Sequence, residues 1–174
     1  MFVANCSENL GLSVQTCAER WTRFRISQEF ADTKFTTDLR PLFQKGRKIA
    51  EKNPRTLITD GAPNFHEAFV DEFYTAKLGT RPEHIRDIRM SGEVHNNKME
   101  RMNGEIRDRE KVMRGLERKD SPILTGYQLF HNYIRPHKAL DYKTPAEVAG
   151  IQVKGRDRWL TLIQNAARNK GETP

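Results

Sequence analysis

An α/β fold, a sheet covered by helices, is what this 174-residue sequence predicts, on three observations. Short apolar runs of strand type recur at residues 21–28, 55–59 and 84–90. Between and after them lie longer segments with apolar residues at helical spacing. Gly, Pro and Asn-Pro breaks fall at the changes from one pattern to the other.

The elements follow in order. Residues 1–20 show no periodicity, and Asn5, Ser7, Asn9, Gly11 and Ser13 give them the composition of a loop. In 21–28, Phe24 and Ile26 alternate with Arg23, Arg25 and Ser27, the pattern of a half-buried strand. Thr36, Thr37 and Asp38 can cap a helix reaching about residue 52, with Leu39, Leu42, Phe43 and Ile49 turned inward, and Asn53-Pro54 stops it. A short strand over 55–59 delivers Asp60, after which Gly61-Ala62-Pro63 breaks the chain. Phe65, Ala68, Phe69 and Phe73 then predict a helix over 64–78, followed by a strand over 84–90 and a loop at Ser91-Gly92. A long helix over 96–116 carries Met99, Met102, Ile106, Met113 and Leu116 as its apolar members. Ser121-Pro122 opens a helix to about residue 133, Thr144-Pro145-Ala146-Glu147 reads as a capping box, and 156–169 can form a last helix. The organisation is an unassigned tract 1–20, a core 21–151, and a C-terminal helix and tail 152–174.

Composition narrows the function classes. Hydrophobic residues make up 36% and charged residues 30%, a polar but not a disordered composition. Thirty Lys and Arg against 23 Asp and Glu give a formal charge of +7 and a pI near 9.6, which suits a polyanionic partner such as nucleic acid. Cys6 and Cys17, without flanking His, make neither a zinc site nor a disulfide framework. With no leader-like segment and no apolar run of spanning length, the expectation is an intracellular protein, cytoplasmic or nucleoid-associated, with no membrane partner.

Three blocks carry chemistry. The first is Arg55-Thr56-Leu57-Ile58-Thr59-Asp60-Gly61. The second is His95-Asn96-Asn97-Lys98-Met99-Glu100-Arg101, running on to Arg107. The third is Tyr133-Ile134-Arg135-Pro136-His137-Lys138, followed by Thr144-Pro145-Ala146-Glu147. Thirty-nine residues lie between Asp60 and Glu100. In this order, over residues 23–151, the blocks resemble the catalytic cores of DDE-type insertion-sequence transposases and retroviral-type integrases. The resemblance implies a ribonuclease H-like fold. It also implies metal-dependent phosphoryl transfer in DNA transposition and integration, with Asp60 and Glu100 as catalytic residues and as ligands of Mg²⁺ or Mn²⁺. Its partners would be DNA, both transposon ends and target, and a second copy of the chain.

Each residue also has a bland reading. Asp-Gly after a strand is a common turn, and a Glu on a polar helix is commonly solvated. Glu93 rivals Glu100 by its distance from Asp60, but Glu100 sits inside the Asn-Asn-x-x-Glu-Arg block. Arg107 lies seven residues, two turns and about 10.5 Å beyond Glu100 on one helical face. Asn97, Arg101 and Arg107 are the candidate DNA-binding residues. The family's first Asp, on an earlier strand, has no counterpart, because no Asp precedes Asp32. The expectation is therefore an N-terminally truncated, catalytically inactive copy with an incomplete N-terminal part of the sheet. Glu19 and Glu29 are the first carboxylates to test as substitutes. The alternative is a non-enzymatic DNA-binding or partner-binding remnant. His131 and His137 do not make a convincing metal pair, and the block around Pro136 reads as structural.

Overall fold

The computed structural model describes residues 2–9, 12–31, 33, 35–75, 79–86, 97–113 and 122–171. Within these, residues 2, 3, 5–9, 12–15, 31, 97–100, 109, 110, 113, 170 and 171 are described by backbone alone. Five strands form one sheet: β1 (Phe2–Asn9), β2 (Leu12–Glu19), β3 (Arg25–Ala31), β4 (Thr56–Thr59) and β5 (Glu83–Arg86), in the order β3-β2-β1-β4-β5. The helices are α1 (Thr36–Ala50), α2 (Pro63–Phe73), α3 (Asn97–Met113), α4 (Pro122–Leu129), α5 (Pro145–Val148) and α6 (Arg158–Gly171). The fold is α/β and ribonuclease H-like.

The loop reading of residues 1–20 is corrected here. Most of that tract is β1 and β2, an antiparallel pair with Phe2 opposite Glu19 and Asn9 opposite Leu12, and β2 pairs in turn with β3. The sheet is short instead at one seam, where parallel β1 and β4 pair only at Phe2 with Leu57 and Val3 with Ile58. The sequence hides these strands because helices lie on both faces of the sheet. Thr16, Cys17 and Ala18 are consecutive and all buried, so no apolar-polar alternation appears.

One face of the sheet packs on α1 and α2. Ala4, Cys17, Ile26 and Leu57 of the strands meet Leu39, Leu42 and Phe43 of α1 and Phe65, Ala68, Phe69 and Phe73 of α2. Gly46 lets α1 approach β3 closely, since a Cβ there would lie 3.1 Å from the Ser27 hydroxyl. That hydroxyl in turn donates to the Leu42 carbonyl. The opposite face carries α3, whose Met102 packs on Ala18 and Ile58, while Ile106 packs on Leu124 of α4. β3 is an edge strand, and α4 with the π-helical turn that continues it (Phe130–Ile134) covers the edge. Asn132 accepts from the Arg25 N–H and donates to the Arg25 carbonyl, both at 2.9 Å, and Gln128 donates to that carbonyl as well. Side-chain amides thus occupy backbone groups that would otherwise invite another strand.

Two expectations for α1 are corrected: its N-cap is Phe35 with no side-chain cap bond, so Thr36, Thr37 and Asp38 lie inside the helix, and Ile49 is exposed because it falls at the edge of the face that carries Leu39, Leu42 and Phe43. Other elements hold with shifted ends. The strand over 21–28 is observed at Arg25–Ala31, and the helix over 64–78 is observed to Phe73. The Thr144 capping box is present, with Thr144 Oγ1 accepting from the Glu147 N–H and Glu147 accepting from the Thr144 N–H. The later part of the 84–90 strand, Ser91-Gly92, Glu93, residues 114–116 and the Ser121 cap lie outside the described residues. Among the described residues no helix is long and apolar enough to cross a membrane.

Candidate nucleic-acid interface

Asp60 follows directly on β4, whose Leu57, Ile58 and Thr59 are buried. Its own side chain is exposed, and Oδ1 accepts from the Ala62 N–H at 3.2 Å. Gly61, at φ 86, turns the chain where a side chain would be strained, and Pro63 then occupies the first turn of α2. The Gly61 carbonyl accepts from Arg86 of the neighbouring strand β5 at 2.9 Å. Asp60 therefore stands at the C-terminal end of a parallel strand, where open α/β sheets leave a crevice.

α3 crosses the same face of the sheet. Ile58 packs on Met102 of α3, and Asp60, two residues beyond Ile58, has the same strand parity. The helix is pinned from beneath by Arg25 of β3, a fully buried side chain whose Nη2 donates to the Met102 carbonyl at 2.6 Å. The Arg25 guanidinium also lies over the Tyr127 ring at 5.2 Å. Burial pushes its pKa down to about 10, so it keeps its charge at neutral pH. With Met102, Asn103 and Ile106 facing the protein, Arg101, Arg107, Asp108 and Lys111 are left exposed. Asn97 and Glu100 occupy the first turn of α3 and are placed by backbone position, their side chains lying outside the described residues.

The two carboxylates named as substitutes for a first Asp are committed elsewhere. Glu19 accepts from the N–H groups of Trp21 at 2.9 Å and Thr22 at 2.6 Å in the β2–β3 turn. It pairs with Phe2, level with the start of β4 rather than with Asp60. Glu29 forms an ion pair with Lys45 of α1 at 2.7 Å, on the face away from α3. Among the described residues no group of three or more His, Cys, Asp and Glu is arranged to hold a metal ion.

Sequence reasoning missed a cluster on the α2 side of the sheet, at Thr59 of β4. His84 of β5 stacks on Phe69, its Nε2 lies 3.0 Å from the Thr59 hydroxyl, and its Nδ1 lies 3.2 Å from Nδ1 of His66 in α2. Burial, then the neighbouring His66 and Arg86, push the His84 pKa down to about 4, so the ring is neutral at neutral pH. These residues come from separate elements, and no local spacing could have linked them.

The third block is structural. His131 and His137 are buried edge to face, with centroids 4.7 Å apart, and His131 Nε2 donates to the Arg23 carbonyl at 3.0 Å. Arg135 pairs with Glu105 of α3 at 2.7 Å, and the Tyr127 hydroxyl donates to the same carboxylate. The block thus locks α3 to the π-helical turn.

The fold is similar to the crystal structure of the catalytic core domain of BIV integrase, with a TM-score of 0.62. The match covers 84% of this chain and 91% of that one at 14% sequence identity, a likeness that establishes the fold alone. The sequence matches no protein-family profile and no curated protein.

Proposed function

We propose that this chain is a DDE transposase- or integrase-type core that binds DNA along α3 and does not cut or join strands by itself. One observation carries the reading. In an integrase-type fold, Asp60 ends β4 on the sheet face crossed by α3, the helix that presents Arg101 and Arg107 to solvent and holds Asn97 and Glu100 in its first turn. The +7 formal charge supports a polyanionic partner, transposon end or target DNA. A second copy of the chain is a further partner on this reading.

Mg²⁺ or Mn²⁺ would be the cofactor of an intact site of this class, neutralising phosphate charge and activating a hydroxyl. The donors that the resemblance names here are two carboxylates, Asp60 and Glu100, and hard cations in a paired site need more anionic oxygen than that. The residues do not fit a two-ion site, so no catalytic step is assigned to them.

Salt tests the DNA reading. Binding to duplex DNA is expected to fall steeply with added salt through counterion release. Arg101→Ala with Arg107→Ala should weaken it across sequences and flatten the salt slope by about two counterions. Binding indifferent to salt and to both substitutions would remove DNA as the partner of α3.

A further inference from the structure

Continuing the register of β1 on β4 two residues past its last pair brings position 5 level with position 60, the residue after β4. Phe2 stands opposite Leu57 and Val3 opposite Ile58 in the parallel pair. Two residues further along each strand come Asn5 and Asp60. Across the antiparallel pair, Asn5 stands opposite Thr16. Ala4 and Cys17, themselves partners, pack on the α1 and α2 side. Alternation therefore assigns position 5 and Thr16 to the other face, where Ala18 and Ile58 meet Met102 of α3. Asp60 shares that parity.

Two polar residues are buried where α3 crosses this face. Thr16 is fully buried, and its hydroxyl oxygen has no hydrogen-bond partner among the described residues. Asn103, on α3 three residues after Glu100, is fully buried, with both amide atoms unpartnered among the described residues. Buried polar groups normally find partners, and these two place polar chemistry on the α3 side of the sheet near positions 5 and 100.

We infer that Asn5 is the point at which this chain departs from a three-carboxylate cation site, on a strand that is present rather than lost. The inference rests on the proposed reading of the crevice as a DNA-processing site. The departure is small: at position 5 the sequence carries an amide residue where a carboxylate residue would complete a set with Asp60 and Glu100. An Asn carbonyl can still approach a hard cation but brings no charge, and ligand charge count sets affinity in such sites. Asn5→Asp changes that charge with almost no change of shape.

The test uses the full chain, Asn5→Asp, and the double variant Asn5→Asp with Asp60→Asn, with Mn²⁺ as probe. Calorimetry should show Asn5→Asp binding Mn²⁺ at least about tenfold more tightly than the unsubstituted chain, with the gain lost in the double variant. Its Tm should fall in EDTA and recover in Mn²⁺, because neighbouring carboxylates repel without a cation. If Asn5→Asp is unfolded in EDTA, refolding on Mn²⁺ addition, followed by circular dichroism, supports the inference equally. Three results overturn it: a folded Asn5→Asp that binds Mn²⁺ no more tightly, an unfolded one that Mn²⁺ does not rescue, or an unsubstituted chain that already binds as tightly through Asp60. DNA binding measured on the unsubstituted chain separates the two readings. Its failure sinks the role given to α3 and leaves the Mn²⁺ comparison standing.

Discussion

Acid should unfold this protein earlier than its carboxylates alone would require, and His131 is the reason. Its ring is buried to 1% exposure, donates through Nε2 to the Arg23 carbonyl, and has no partner at Nδ1 among the described residues. Burial, and then the positive charge of Arg25, push its pKa from 6.5 down to about 3. A base whose folded value is depressed contributes stability that is complete above its unfolded value, near pH 6.5, and drains away as the pH falls toward 3, because the unfolded chain takes up the proton first. Each pH unit in that window is worth about 1.4 kcal/mol, so between pH 6.5 and 4.5 His131 alone should remove roughly 2 to 3 kcal/mol. That is a large share of the 5 to 15 kcal/mol typical of a domain. His137, also lowered by burial, adds to the trend in the same direction. The comparison is His131→Gln, whose amide can still donate to Arg23 but cannot take up a proton. Urea unfolding at a series of pH values should give a shallower loss of stability for the variant, by about 2 kcal/mol between pH 7 and 4.5. Parallel curves for the two proteins would show that His131 is already protonated, or accessible, in the folded state, and the argument would fail.

Other outcomes follow from the same contacts. Thr144→Ala removes the acceptor for the Glu147 N–H and should cost about 1 kcal/mol in chemical denaturation. Leu42→Ala, at a fully buried position between β3 and α2, should cost about 2 to 5 kcal/mol, with the upper part of the range expected if the phenylalanines around it do not collapse into the space. Supercoiled plasmid incubated with the purified chain and Mg²⁺ or Mn²⁺ should remain unnicked; cleavage that disappears in Asp60→Ala would mean that a further ligand completes the site.

How much was legible in the sequence depends on how local each signal is. The turn Asp60-Gly61-Ala62-Pro63 and the Thr144 capping box are written within four consecutive residues each, and both are found as expected. α3 declared itself by Met99, Met102, Ile106 and Met113 at helical spacing in an otherwise polar segment, of which Met102 and Ile106 are seen buried. β1 and β2 did not. Ala4 and Cys17 are small, Asn5, Ser7, Ser13 and Thr16 are polar, and the strands exist because neighbours pair with them on both sides. The fate of Glu19 and Glu29 was equally out of reach, since it depends on a turn geometry and on Lys45 of a different element. Buried Arg25 looked like an outward residue of an alternating strand. Its burial depends on α3 and α4, more than seventy residues away, closing over it.

The residues that hold Asp60 in place are separable from those that would give it work. β4 is fixed by Leu57 in one core cluster and Ile58 in another, and α3 is fixed by Arg25, Met102 and the Glu105–Arg135 pair. None of these contacts needs a charge at position 5. Like charges brought together at a strand end raise the energy of the folded state, and only a bound cation offsets that cost. On the inferred register, a neutral residue at position 5 therefore relieves the sheet at its shortest seam, where two residue pairs join β1 to β4. On this reading the chain can lose strand chemistry without losing the fold, and it retains a basic helix face that still suits DNA. Stability and catalysis pull in opposite directions at a site of this kind, and on the proposed reading residue 5 is a position where they meet.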